Sequence, residues 1–130
     1  MSILKKIFGS NEISRQPKKL IPWNRLTSVN QLIEIEKESF YQPIAIFKHS
    51  TRCGTSSMAL RQFESQFETD NTSVKLYFLD LLSFKDISNE VANRFQVFHE
   101  SPQLIVLKDG NTIHHSSHHQ IDAGLLEQFS

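Results

Sequence analysis

Hydrophobic and polar positions follow two different periods in the first half of this chain. Apolar residues recur at helical spacing after Ser28, whose separation from Gln31 is a capping-box signal, and this pattern ends near Pro43. The short apolar run from Pro43 to Phe47 predicts a strand that is covered on both faces. Helical spacing then returns at Ala59, Phe63 and Phe67. This half therefore predicts a helix, a buried strand and a second helix.

The second half repeats the strand and helix pattern and then changes it. Residues 74–80 alternate as a strand does, and Ser83 with Asp86 could cap a third helix that carries Ile87, Val91 and Phe95. An apolar strand at 103–107 is followed by the hairpin signal Asp109-Gly110 and a further strand at 112–115. A last apolar stripe predicts a C-terminal helix with Ile121, Leu125, Leu126 and Phe129.

The order of these elements predicts the fold class. Strands that alternate with helices, followed by a hairpin and a closing helix, indicate an α/β fold with a mixed central sheet of four to five strands and helices on both faces. This is the order of a thioredoxin-like domain, which we place at residues 23–130, with a weak first strand from Trp23 to Leu26. Residues 1–22 show no sustained period, so we expect an N-terminal extension that need not be ordered.

Charge and hydropathy exclude several classes of protein. Lysine and arginine together number 14, as do aspartate and glutamate, so no net field draws the chain to nucleic acid or to an anionic membrane. The first residues contain two lysines and lack an apolar run of signal-peptide length, and no run approaches the roughly 20 residues that span a bilayer. We expect a cytoplasmic monomer that binds neither nucleic acid nor membrane.

Cys53 is the single cysteine of the chain, so it cannot form an internal disulfide, which suits a reducing compartment. It lies where the predicted buried strand gives way to a helix. The unpaired N–H groups of the first helical turn favour the thiolate. We expect these groups at Thr55, Ser56 and Ser57. Arg52, and His49 if protonated, would add positive charge, so we expect Cys53 to act as a nucleophile.

Serine occupies the fourth position of Cys53-Gly54-Thr55-Ser56, where a dithiol redox protein has its resolving cysteine. Serine cannot resolve a disulfide, but its hydroxyl can donate a hydrogen bond to the thiolate, and Gly54 allows a ligand to approach closely. A small thiol or a second protein must therefore complete any exchange cycle. We expect Ser56 and Arg52 to assist Cys53 in catalysis, and Gly54, Thr55 and His49 to contact the substrate.

Ser101 and Pro102 precede the fourth predicted strand. In a thioredoxin-like fold, a cis proline at this position faces the active-site helix, and the residue before it offers backbone groups to an extended thiol substrate. We therefore expect both residues to bind substrate, the alternative being an ordinary trans proline that begins a strand. His99 and Glu100, just before them, could handle protons near Cys53.

A cluster of four histidines lies between residues 114 and 119. Pairs of these histidines are four residues apart and could hold a metal ion if the segment were helical. The cluster straddles the end of a predicted strand and lacks other obvious ligands. We therefore expect a solvated loop and no metal site.

Several segments resemble the monothiol bacilliredoxin-like family, the YtxJ-type bacillithiol system proteins. They are Lys48-His49-Ser50-Thr51-Arg52-Cys53, residues 77–81, residues 87–89, His99-Glu100-Ser101-Pro102-Gln103 and Ser117-His118. The resemblance extends from about Trp23 to the C-terminus. It implies a thioredoxin-like fold and the removal of the small thiol bacillithiol from protein mixed disulfides, with Cys53 as the nucleophile and Pro102 as the cis proline.

The same resemblance implies partners and leaves alternatives. Thiol-modified client proteins would be substrates, bacillithiol or a similar thiol would be a co-substrate, a small thiol or a reductase would recycle the protein, and no cofactor would be tightly bound. The family commonly has Cys-Pro-Ile-Ser where this chain has glycine after Cys53. Glycine is closer to monothiol glutaredoxins, so an iron–sulfur cluster carrier is one alternative. A thioredoxin-fold interaction module with an inert, buried cysteine is another.

Overall fold

The computed structural model describes residues 20–69 and 72–129, so the expected N-terminal extension falls almost wholly outside the described residues. One mixed sheet contains the strands in the spatial order β1-β3-β2-β4-β5. Their bounds are β1 Trp23–Arg25, β2 Ile44–His49, β3 Lys75–Asp80, β4 Gln103–Lys108 and β5 Asn111–Ser117. β3 pairs in parallel with β1 and β2, whereas β4 is antiparallel to both β2 and β5. The predicted thioredoxin-like fold is confirmed.

Within the described residues, three α-helices cover the sheet, and two 3₁₀ segments follow β5. Their bounds are α1 Asn30–Glu38, α2 Gly54–Gln66 and α3 Lys85–Arg94, then His118–Gln120 and Ala123–Phe129 for the 3₁₀ segments. The predicted capping box before α1 forms in part: Gln31 Oε1 accepts the N–H of Ser28 at 3.0 Å, as such a box requires. Ser28 Oγ accepts the N–H of Asn30 at 3.1 Å, whereas the Gln31 N–H bonds the Ser28 carbonyl. None of the helices in the described part has the length and apolarity that a membrane crossing requires.

Strand alternation divides the core between the two faces of the sheet. In β2, Ile44 and Ile46 face the cluster that contains Leu32 and Ile35 of α1 and Ile87 and Val91 of α3. The intervening Ala45 and Phe47 face the second cluster, which contains Ala59 and Phe63 of α2 together with Ile121 and Leu126. Both faces of β2 are therefore covered, as its continuous apolar run predicts.

Three local predictions need correction. Ser83 and Asp86 do not cap α3: Asp80 Oδ1 accepts the N–H of Leu82 at 3.1 Å and Asp80 Oδ2 accepts the Ser83 hydroxyl at 3.0 Å, so the carboxylate at the end of β3 turns the chain. β5 continues to Ser117 instead of ending at residue 115. The C-terminal apolar stripe forms a 3₁₀ helix of seven residues, because so short a segment gains little from α-helical cooperativity.

Candidate active site

Cys53 immediately precedes α2, as predicted. Its backbone is extended, with φ −108° and ψ 119°, and its carbonyl accepts the N–H of Ser57 at 3.1 Å. This bond closes the first helical turn, so the expectation that the Ser57 N–H stays unpaired is wrong. The orphan donors of the turn belong to the three residues that directly follow the cysteine, Gly54, Thr55 and Ser56. The positive end of α2 therefore lies beside the cysteine.

The Cys53 side chain is half-buried and not sealed in the core. Thr51, Arg52, Gly54 and Thr55 around it are all exposed. A Cβ added at Gly54 would meet no atom within 4 Å, so the space beside the first residue of α2 is open. This geometry counts against an inert, buried cysteine and leaves room for a second sulfur to approach.

Ser56 points away from solvent and is bound by β2. Its Oγ lies 2.7 Å from Nδ1 of His49 and accepts the N–H of Ser50 at 3.0 Å. Ser56 is 0% exposed and His49 is 6% exposed. Among the described residues the structure shows no hydrogen bond to the Cys53 sulfur: the Ser56 hydroxyl, which could have donated to it, contacts His49 instead. Ser56 joins the start of α2 to the end of β2.

The tautomer of His49 controls the hydroxyl proton of Ser56. Burial lowers the pKa of His49 from 6.5, against the opposing influence of Asp80, Ser56 and Glu64, so the ring is neutral at physiological pH. If Nε2 carries the ring proton, Ser56 donates its hydroxyl proton to Nδ1. If Nδ1 carries it, the ring donates to Ser56, and the hydroxyl proton is free for another acceptor.

Arg52 and Thr55 lie at the rim of the site. Both are exposed, and among the described residues no ion pair engages Arg52. The charge of an exposed guanidinium is screened by water and salt. The catalytic role of Arg52 and the substrate-binding role of Thr55 therefore stay predictions.

The loop before β4 lies at the end of β2 from which the chain continues to Cys53. The Ser101–Pro102 peptide bond is cis, as predicted, and the Pro102 carbonyl accepts the N–H of His118 at 3.1 Å. In the sheet Gln103 is the partner of Lys48, so this loop meets the same end of β2 that leads to Cys53. Ser101 Oγ is buried and has no hydrogen-bond partner among the described residues. It is a candidate donor for a bound substrate, which stays a prediction.

Sequence reasoning missed the environment of Lys48. This residue is 0% exposed, on the face of β2 opposite His49. Its Nζ donates to the carbonyl of Ser88 at 3.2 Å and lies 3.2 Å from Nδ1 of His99. Burial lowers the pKa of Lys48 to about 8. The signal in the sequence was a lysine that directly continues the apolar run of β2.

Part of the histidine cluster lies in regular secondary structure. His114 and His115 belong to β5, in agreement with the strand predicted at 112–115, so the expected solvated loop does not include this pair. His118 and His119 begin the following 3₁₀ turn. The ring of His114 packs against Phe129 with 5.7 Å between centroids. In the described ranges no group of three or more histidine, cysteine or acidic side chains could hold a metal ion.

Comparisons with known proteins agree with this geometry. The family model of the monothiol bacilliredoxin BrxC matches residues 24–126. A solved structure with a thioredoxin fold aligns at a TM-score of 0.70 and 26% identity, covering 82% of this chain and 92% of that one. Thioredoxins of Malassezia sympodialis and Nicotiana alata align at a TM-score of 0.64 with 18% and 19% identity, covering 88% of this chain and 91% and 94% of theirs.

These findings fix the class of protein. The family match spans well over half of the chain and includes Cys53 and Pro102. The thioredoxins, at their low identity, support the fold. A bacilliredoxin match together with this fold supports a role in thiol redox chemistry. The chain belongs to the monothiol bacilliredoxin BrxC family.

Proposed function

We propose that this protein removes a low-molecular-weight thiol, bacillithiol, from mixed disulfides on client proteins through the thiolate of Cys53. The observation that carries the proposal is a half-buried single cysteine directly before α2, with serine in the fourth position of the motif. The orphan N–H groups of the turn favour the thiolate, which is the attacking species in thiol–disulfide exchange.

The exchange has two balanced steps. The Cys53 thiolate attacks the bacillithiol sulfur of the client's mixed disulfide, so a new disulfide forms between Cys53 and bacillithiol, and the client leaves as a thiolate. A second small thiol or a reductase then attacks the bacillithiol sulfur. The Cys53 thiolate leaves, and the bacillithiol departs in a disulfide with the attacking thiol. Electrons for the cycle come from that external thiol.

Ser56 makes the protein depend on that second thiol. A hydroxyl cannot attack a disulfide as a thiol does. The Ser56 hydroxyl is also already hydrogen-bonded to His49 and to the Ser50 N–H. Cys53 therefore carries the small thiol until an external thiol arrives. In the tautomer that leaves its hydroxyl proton free, Ser56 can donate to the departing thiolate of Cys53.

The client is expected to lie along the loop before β4. The backbone of Ser101 can pair with an extended segment next to the modified cysteine, and Ser101 Oγ has a free hydrogen-bond capacity among the described residues. The open space at Gly54 leaves room for the small thiol. We further propose that the protein acts as a cytoplasmic monomer on thiol-modified proteins, without a tightly bound cofactor.

Transfer of the small thiol tests the proposal directly. Model proteins carrying bacillithiol, glutathione or coenzyme A would be mixed with the reduced protein, and the mass of the intact chain would be followed after acid quench. We expect Cys53 to gain the mass of bacillithiol fastest, and the Cys53→Ser variant to gain none. Ser65→Ala, near the far end of α2, is the matched control and should behave as the wild type. Equal behaviour of the wild type and Cys53→Ser towards all three would overturn the proposal.

A further inference from the structure

A buried ammonium group lies on the other face of the strand that leads to Cys53. Lys48 is fully buried, and its Nζ has two polar neighbours, the Ser88 carbonyl and His99 Nδ1, each at 3.2 Å. In the described part of the chain no carboxylate lies within ion-pair distance of it. A charge that is removed from water without a counter-ion is costly, so the site is short of one negative charge.

His99 connects this buried charge to the surface. An ammonium group can only donate hydrogen bonds, so Nδ1 of His99 is the acceptor and Nε2 carries the ring proton. Burial and the charge of Lys48 lower the pKa of His99 from 6.5, and Glu100 opposes them. The residue as a whole is exposed, while the Nδ1 side of its ring faces the buried Lys48. His99 is thus a neutral donor whose Nε2–H is polarised by the ammonium behind it.

A cavity of about 180 Å³ adjoins His99. Its lining residues are Leu81, Lys85, Ser88, Asn89 and His99. A larger cavity of about 520 Å³ shares Asn89 and His99 with it and is lined further by Asn93, Gln96 and Phe98, among others. Neither cavity has an acidic lining residue, although four acidic residues lie near the lining residues in sequence. Asp86 and Glu100 are exposed, Asp80 accepts hydrogen bonds from Leu82 and Ser83, and Glu90 pairs with Arg94.

The size of the smaller cavity limits its occupant. A protein cavity of about 150 Å³ accommodates benzene, so a cavity of about 180 Å³ holds a group of about six to eight non-hydrogen atoms. A short chain that ends in a carboxylate fits, whereas a folded protein segment does not. Lys85 at the rim and Asn89 in the wall offer an ammonium and an amide to such a group.

We propose that this cavity binds the carboxylate of the small thiol that Cys53 exchanges. The proposal rests on the proposed function and adds a subsite to it. Lys48 supplies the charge through His99, and Lys85 supplies a second charge at the surface. The pairing of Lys48 with Gln103 places the His99 loop at the end of β2 from which the chain continues to Cys53. A thiol bound through its carboxylate is thereby held at the reactive end of the sheet.

A matched pair of thiols tests the subsite. A model protein modified with 3-mercaptopropionate, which has a carboxylate, is compared with one modified with 2-mercaptoethanol, which is neutral. For each modified protein, the rate of transfer to Cys53 is measured at low substrate concentration. It is divided by the rate at which the same mixed disulfide reacts with free cysteine, which removes differences in intrinsic reactivity. We expect the wild type to favour the carboxylate thiol by about tenfold, the equivalent of about 1.4 kcal/mol.

Two variants locate the preference. In Lys48→Met, which keeps the side-chain volume without the charge, the ratio of the two rates should fall to about one, and in Lys85→Gln it should fall part of the way. Lys108→Gln, an exposed lysine at the far end of β4, should keep the wild-type ratio. Near-ultraviolet circular dichroism would establish that each variant is folded.

The outcomes separate the two proposals. A ratio near one in the wild type, or the same ratio in the wild type and Lys48→Met, would overturn the carboxylate subsite while leaving the exchange activity intact. No transfer of either thiol, with Cys53→Ser indistinguishable from the wild type, would instead refute the exchange activity. Nuclear magnetic resonance gives a readout besides rate: the His99 ring signals should differ between protein loaded with mercaptopropionate and protein loaded with mercaptoethanol. Identical His99 signals would also overturn the subsite.

Discussion

At the residue scale, the Ser56 hydroxyl connects the start of α2 to the end of β2. It is fully buried and contacts Nδ1 of His49, the last residue of β2, and the N–H of Ser50, the next residue. Two buried polar groups therefore depend on one side chain. Buried donors and acceptors that lose their partner cost about 1–3 kcal/mol each, far more than the net value of the hydrogen bond.

The Ser56→Ala variant should therefore be less stable than the wild type by about 2–6 kcal/mol, because two buried groups each lose their partner. The alanine methyl group fits the space of the hydroxymethyl group but leaves His49 Nδ1 and the Ser50 N–H unpaired. Urea unfolding at neutral pH measures the difference. Ser65→Ala, which removes a surface hydroxyl that donates to the Gln62 carbonyl, should lower the stability by no more than about 0.5 kcal/mol. A Ser56→Ala protein as stable as Ser65→Ala would contradict this account of the buried bonds.

At the scale of elements, the first turn of α2 fixes the relation between Cys53 and the fourth residue of its motif. Cys53 is the residue before the helix, and Ser56 is three positions further, so the two side chains lie on the same side of the turn. Residues with this spacing fall within the range of Cα separations that a disulfide spans. The structure is thus a dithiol framework in which one sulfur has been replaced by oxygen.

Ser56→Cys should restore the missing sulfur. We expect the oxidised variant to contain an internal disulfide between positions 53 and 56, so that both thiols disappear and the intact mass falls by two hydrogens. The small thiol should no longer accumulate on Cys53, because the new cysteine displaces it. Ser65→Cys, about two and a half helical turns further along α2, places its sulfur too far away and should keep two titratable thiols. Two free thiols in oxidised, monomeric Ser56→Cys would show that the turn does not have the geometry described.

At the scale of the whole molecule, Lys48 is an electrostatic cost to the fold. Its ammonium is buried between β2, α3 and the loop before β4, where the Ser88 carbonyl and the His99 ring replace only part of its hydration. Burial lowers its pKa from 10.5 to about 8. The folded protein therefore releases this proton at a lower pH than the unfolded chain does, so folding is linked to pH.

The free energy of unfolding should rise between about pH 8 and pH 10.5 relative to that of Lys48→Met. In this window the unfolded chain still holds the Lys48 proton while the folded protein has lost it, so higher pH favours folding. The pKa difference corresponds to about 3 kcal/mol. Below pH 8 the cost is fully present, and Lys48→Met should be more stable than the wild type.

Comparison with Lys48→Met isolates this residue from other groups that titrate in the same range. Burial raises the pKa of Tyr77, and the hydrogen bond to Glu38 raises the pKa of Lys75. Both groups therefore lose their stabilising contribution to the fold at high pH. They are the same in both proteins and cancel in the difference. Chemical denaturation at several pH values measures it. A difference that does not change between pH 8 and pH 10 would show that Lys48 is not buried as a charge.

The sequence by itself determined the fold class and the position of the cysteine. The apolar run of β2 and the apolar stripe of α2 follow from local periodicity, which depends on which side chains must leave water. The polar residues that cap α1 were visible as a local spacing of Ser28 and Gln31. The start of α2 after Cys53 and the proline before β4 were visible for the same reason. These features need no knowledge of contacts between distant segments.

Only the tertiary structure decided how the polar side chains pair. Asp80 rather than Ser83 turns the chain before α3, Ser56 is bound by His49 rather than by the sulfur, and Lys48 meets His99, 51 residues away. Hydrogen bonds of this kind depend on sheet register and on the direction of each side chain, which a one-dimensional pattern does not contain. Hydrophobic burial is non-directional and can be seen in the sequence, whereas hydrogen bonds are directional and are settled when the strands and helices meet.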